Sequence, residues 1–130
     1  MTQRINLRTP LKNARYLGSA KEGAHHFWLQ RVTAVANLIL VVGLVWLLVT
    51  LAGADHATTK SALNHPLVAL GLILLVVSGT VHMRLGMQTI IEDYVHGETA
   101  KIVLLMSNVF FAVAVAGASV LAILKVYFGA

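Results

Sequence analysis

Three long stretches of this chain carry almost no charge, and they limit what it can fold into more than anything else in the sequence. Val32 to Gly53 has no charged residue, Leu67 to Ile91 has only His82 and Arg84, and Ile102 to Phe128 has only Lys125 near its end. Each exceeds the ~20 residues that cross ~30 Å of hydrocarbon at ~1.5 Å per residue. The expected fold is all-α, a three-helix transmembrane bundle forming one membrane domain over residues 1–130, with spans near 32–53, 67–91 and 102–128. Composition points the same way. The chain is 58% hydrophobic and 12% charged, where a soluble domain carries about twice that charge. The spans leave no room for a soluble catalytic domain.

The net charge is +5, but its distribution argues against nucleic acid as a partner. Six of the ten basic residues (Arg4, Arg8, Lys12, Arg15, Lys21 and Arg31) precede the first span, whereas the loop after it has only Lys60 against Asp55. By the positive-inside rule the N-terminus is cytoplasmic. The 92–101 loop is then cytoplasmic too, with the 54–66 loop and the C-terminus on the far side. Residues 1–20 are basic and lack acids, so they could also imitate a mitochondrial transit peptide. A positive-inside leader explains the same charges, and a multi-pass protein of the bacterial cytoplasmic (inner) membrane is expected over one of the mitochondrial inner membrane.

Between the spans the sequence reads as connections. Residues 1–22 form an expected cytoplasmic arm, broken by Pro10 and Gly18. Residues 23–31 approach the membrane with Phe27 and Trp28 suited to the interface and Arg31 at the edge of the span. The 54–66 loop ends in Asn64-His65-Pro66, with Pro66 suited to the first turn of the second helix. Gly97 and the surrounding charges make 92–101 a turn. The chain has no cysteine, which excludes disulfides, thiolate-bound iron–sulfur clusters and thioether-linked haem.

His82 and Arg84 are the residues that ask for a function, because ionisable side chains in hydrocarbon are costly and rare. A His held away from water is also a common axial ligand for haem iron. At ~100° per residue, Gly71, Leu75, Ser78, Gly79, Gly86, Thr89 and Asp93 share the face of His82. Two explanations of this small, polar stripe stand level. Either a neighbouring helix packs closely on it and His82 bonds across, or the small residues clear space for a flat macrocycle whose iron His82 ligates. Arg84 lies ~200° around from His82. It sits eight residues, ~12 Å, from Glu92, so it needs a carboxylate, a propionate or a headgroup from outside the chain unless it snorkels. Gln88 adds a second polar group to the Arg84 face. Tyr94 reads as an aromatic-belt anchor or as a phenol donating to a quinone carbonyl, with Asp93 orienting it. His25 and His26 read as interfacial, and His56, His65 and His96 as solvated.

The run His82-Met83-Arg84-Leu85-Gly86-Met87-Gln88-Thr89-Ile90-Ile91-Glu92-Asp93-Tyr94-Val95-His96-Gly97 resembles the signature of the smaller hydrophobic membrane-anchor subunit of succinate dehydrogenase, respiratory complex II. That signature is a His, a Gly four residues on, and Asp-Tyr-Val eleven to thirteen residues on. The stretch from Gly18 to Ala34 is similar to the same family's approach to its first helix, and its Gln30-Arg31-Val32-Thr33-Ala34 core is of the alphaproteobacterial and mitochondrial type.

The resemblance implies that His82 is one of two axial ligands to the iron of a haem b shared with a second membrane-anchor cytochrome b subunit. It implies that Asp93 and Tyr94 lie by the ubiquinone site, with the Tyr hydroxyl on a quinone carbonyl, and that Arg31 lies near the haem propionates and the quinone. The other partners implied are an iron–sulfur subunit and a flavoprotein, which oxidises succinate in the tricarboxylic acid cycle. On this reading the chain is a subunit of succinate:ubiquinone oxidoreductase with no catalytic residue and no activity alone. Glu92, Asp93 and His96 are placed to relay the protons that quinone reduction consumes. The alternative is a non-redox membrane accessory or assembly subunit in which His82 and Arg84 are interhelical contacts. A dihaem cytochrome b of another kind would need more than one intramembrane His in this chain.

Overall fold

The computed structural model describes residues 21–129. The arm expected over residues 1–22, with its breaks at Pro10 and Gly18, lies outside them apart from Lys21 and Glu22. Four helices follow in order: α1 (Lys21–Thr50), α2 (His56–Leu63), α3 (Pro66–Tyr94) and α4 (Glu98–Phe128). Segments Gly23–Thr50, Pro66–Tyr94 and Glu98–Phe128 are each long and apolar enough to cross a membrane.

The helices overrun the uncharged stretches at their polar ends. Residues 23–31 are continuous with α1, since no Pro or positive-φ Gly interrupts them. The turn expected over 92–101 shrinks to Val95, His96 and Gly97, because α3 runs to Tyr94 and α4 starts at Glu98. Lys101 closes that turn by donating Nζ–H to the Glu92 carbonyl at 3.0 Å, where a helix end leaves carbonyls without partners.

The 54–66 segment is more ordered than a loop. Gly53, at φ +81°, turns the chain out of α1 in a conformation that a side chain resists. Asp55 then caps α2, accepting the Thr58 N–H at 3.1 Å. Hydrogen bonding to the Thr58 side chain and then to its backbone holds the Asp55 carboxyl below its ordinary value. Pro66 is the first residue of α3, as its fixed φ favours, and the exposed His65 caps it through Nδ1, which accepts the Leu67 N–H at 3.3 Å.

Helix α3 is the centre of the fold. α1 and α4 both pack on it, and no Cα of α1 comes within 8 Å of one of α4. Two seams result. The α1–α3 seam is built around Thr33, the buried residue of α1, and the α3–α4 seam around buried Asn108 and Ala112 on α4. Asn108 donates Nδ2–H to the Arg84 carbonyl at 2.9 Å, tying α4 to the middle of α3. Most large apolar side chains on the spans face outward, as lipid-facing positions do.

Candidate functional site

The stripe read on the second span meets α1 at several of its positions. Near the far end, Gly71 and Leu75 line an apolar cleft of about 410 Å³ whose opposite wall is Ile39, Leu40, Gly43 and Leu44. Further along, the Ser78 hydroxyl reaches the Thr33 carbonyl at 3.4 Å, long for such a bond. One turn on, His82 Nδ1 lies 3.1 Å from the Thr33 hydroxyl oxygen. After another turn, a Cβ placed on Gly86 would meet only the Gln30 amide nitrogen, at 4.0 Å.

Thr33 is therefore the α1 residue on which the stripe converges. It is 7% exposed. Its hydroxyl also lies 2.8 Å from the Leu29 carbonyl and 3.1 Å from the Gln30 carbonyl, the back-bonding that Thr makes inside helices. No hydrogen bond involves His82 Nε2 among the described residues. Gly79, three residues before His82, would place a Cβ in open space. Close approach of α1 thus does not account for every small residue near His82. At Gly79 there is room beside the helix that this chain does not fill.

The remaining site residues lie in the C-terminal half of α3 and on α1. The Arg84 side chain is exposed and makes no ion pair among the described residues, so its charge points out of the fold at mid-span. Gln88 does not join it. Its Nε2–H donates to Glu92 Oε1 at 2.8 Å, one turn towards the end of the helix. Asp93 and Tyr94 follow, both exposed, and no hydrogen bond joins them. Arg31 is on the exposed side of α1, its guanidinium 4.4 Å from the centre of the Phe27 ring, a cation–π contact. His25, His56, His65 and His96 are exposed, while His26 is half-buried.

Sequence reasoning singled out His82 but not the residue that receives it. The missed signal is on α1, where the polar residues His26, Gln30, Thr33 and Asn37 recur at steps of four, three and four and so share one face. Two members have a buried polar atom with no partner among the described residues, His26 Nε2 and Asn37 Oδ1. The polar stripe of α1 meets α3 at Gln30, which approaches Gly86, and at Thr33, which approaches Ser78 and His82.

Comparison with known proteins adds identity to this geometry. A family model described as "Succinate dehydrogenase/Fumarate reductase transmembrane subunit" matches residues 5–121. The chain is 35% identical over 122 residues to the succinate dehydrogenase hydrophobic membrane anchor subunit of Paracoccus denitrificans, covering 94% of each chain. It is 35% identical over 111 residues to the protein of the same name from Rickettsia bellii, covering 83% of this chain and 86% of the relative. The succinate dehydrogenase membrane anchor subunit of Reclinomonas americana is 31% identical over 86 residues, 64% of this chain and 72% of the relative. No solved structure matches the chain at a significant level.

Proposed function

The chain belongs to the succinate dehydrogenase/fumarate reductase transmembrane subunit family, and from that premise we propose that it gives one axial ligand to a haem b and part of a ubiquinone site. His82 would hold the iron of that haem through Nε2, with a second ligand from a partner anchor subunit. The observation that carries this is the state of the His82 ring. One nitrogen is held by a hydroxyl inside the fold, and the other has no partner among the described residues. A metal-bound His has that arrangement, one nitrogen on the metal and the other hydrogen-bonded to an outer partner. The unfilled space at Gly79 fits a flat group lying against this face.

When bound there, the haem would supply single-electron exchange. What this chain's own residues do is hold and bind. α3 keeps the ligand at mid-span, and Asp93 and Tyr94 at its end meet the quinone headgroup, the Tyr hydroxyl donating to a carbonyl. Arg31 lies by the propionates or the quinone. Glu92, Asp93 and His96 carry protons from the cytoplasmic surface. The concentration of basic residues ahead of α1 supports a cytoplasmic N-terminus and hence that placement. The chain works in the bacterial cytoplasmic membrane, docked beneath iron–sulfur and flavoprotein subunits that oxidise succinate.

The Thr33–His82 contact alone would also serve a non-redox accessory subunit, tying two helices together. A reduced-minus-oxidised spectrum separates the readings. His82→Ala in the assembled complex removes or severely perturbs the b-type haem signal, since His82 is the only His inside the uncharged spans. An unchanged low-spin spectrum with haem retained sinks the ligand assignment. Loss of succinate–quinone activity alone does not decide it, because electrons can reach quinone directly from an iron–sulfur subunit.

A further inference from the structure

We propose that Thr33 is a positioning residue that fixes the tautomer and ring orientation of His82, a role that rests on the reading of His82 as a haem ligand. The argument is one of proton counting. The Thr33 hydroxyl has one proton and three neighbours within hydrogen-bond distance: the Leu29 carbonyl at 2.8 Å, the Gln30 carbonyl at 3.1 Å and His82 Nδ1 at 3.1 Å. Carbonyl oxygens only accept. The shortest contact is to Leu29, at the usual length of an O–H···O bond, so the hydroxyl proton is committed to its own helix. The oxygen is left with lone pairs facing the imidazole, and the contact to His82 is a bond only if Nδ1 carries the hydrogen. A neutral imidazole protonated on Nδ1 is bare on Nε2.

Thr33 thus selects the form of His82 in which Nε2 is the metal-binding nitrogen, before any metal is bound. The site is suited to hold that choice. Thr33 is 7% exposed, so water has little access to exchange partners with the ring. Ser78, one turn before His82 on α3, touches the carbonyl of the same residue at 3.4 Å. α3 therefore meets Thr33 at both ends of one helical turn, which sets the register of α1 against the ligand. The branched side chain of Thr has few rotamers in a helix. An acceptor on the far nitrogen of a metal-bound His also raises the basicity of the binding nitrogen, which favours ferric over ferrous iron and lowers the potential.

The test is made on the assembled complex in membranes, with Thr33→Val, Thr33→Ala and Thr33→Ser. Val keeps the branched shape and removes the hydroxyl, Ala removes both hydroxyl and branch, and Ser keeps the hydroxyl. The readouts are the midpoint potential of the b haem and the low-spin ferric resonance of its ligand field. Val and Ala are expected to raise the potential and alter the ferric signature, while Ser stays near the parent. A tenfold loss of ferric over ferrous preference reads as a rise of about 59 mV in a one-electron titration. Haem retention should weaken about 10- to 100-fold, the usual cost of an outer partner. Loss of haem from assembled Val and Ala complexes, with retention in Ser, supports the same role.

Parent potential and parent ferric signature in Thr33→Val overturn the proposal and leave His82 as a ligand without this partner. Failure of both Val and Ala to assemble, with Ser assembling, also overturns it, because the hydroxyl then ties helices rather than the ligand. A parent complex without a b-type spectrum, or His82→Ala with the parent spectrum, overturns the ligand reading itself and the Thr33 role with it.

Discussion

Tyr94 is 78% exposed at the last position of α3, with its hydroxyl unpaired among the described residues. An interfacial anchor and a quinone donor both present that geometry, and one atom separates them. Tyr94→Phe keeps the ring, so anchoring at the membrane surface is almost unaffected. What goes is a hydrogen bond worth ~0.5–1.5 kcal/mol net, and more where the carbonyl oxygen gains charge. With ~1.4 kcal/mol to a factor of ten, quinone reductase activity should fall several-fold to about a hundredfold. Haem spectrum, assembly and succinate oxidation with an artificial acceptor should stay normal. Parent quinone kinetics in this variant would make Tyr94 a belt residue. At this scale the sequence was readable where a residue type was out of place. His82 and Arg84 stood out against hydrocarbon on sight. Thr33 did not, because a Thr inside an apolar helix violates nothing, and its importance depends on the register of α1 against α3.

Between elements, polar side chains set that register. The spans bury few side chains against one another, and in lipid no hydrophobic difference drives one helix onto the next. Asn108 is buried at 9% exposure and holds α4 to the Arg84 carbonyl. Asn108→Leu keeps the approximate size and removes the donor. Interhelical hydrogen bonds in membranes average roughly 0.6 kcal/mol and reach about 1.7 kcal/mol, so denaturant unfolding of the solubilised complex should show a loss in that range. A midpoint equal to the parent's would mean that packing around Ala112 carries the seam alone. The spans were legible because length and absence of charge suffice to define them. Helix α2 was not, since its eight residues have no apolar periodicity and bury no side chain. Only Asp55 before it and Pro66 after it marked an ordered segment. The pairing order α1–α3–α4 was beyond sequence reach as well, because every apolar face is as greasy as the next.

Among the described residues, the three spans are joined through α3, which both α1 and α4 pack against. Such an arrangement leaves broad faces of each span open, and lipid satisfies those that are Val, Leu, Ile and Phe. Lipid does not satisfy Arg84. Its side chain is exposed at mid-span, no acidic residue lies within the uncharged stretches, and Gln88 is already engaged with Glu92. The Arg84 backbone is also fixed by Asn108, so the guanidinium cannot be withdrawn by moving the helix without breaking that bond. Unless it snorkels to the headgroups, a cation so placed is expected to meet a carboxylate or propionate from another chain or cofactor, and Arg84 would then be a device of assembly. Arg84→Leu makes this chain more apolar, and for an isolated span in lipid it should be favourable by the roughly 2.5–3.5 kcal/mol that a central Arg costs. In the complex the sign reverses, because the opposite charge is left buried and unpaired, a loss of about 3–5 kcal/mol for buried pairs. Lower yield of intact complex and a lower melting temperature are the expected results. If Arg84→Leu assembles and melts like the parent, the side chain reaches the headgroups by snorkelling and has no partner in the complex.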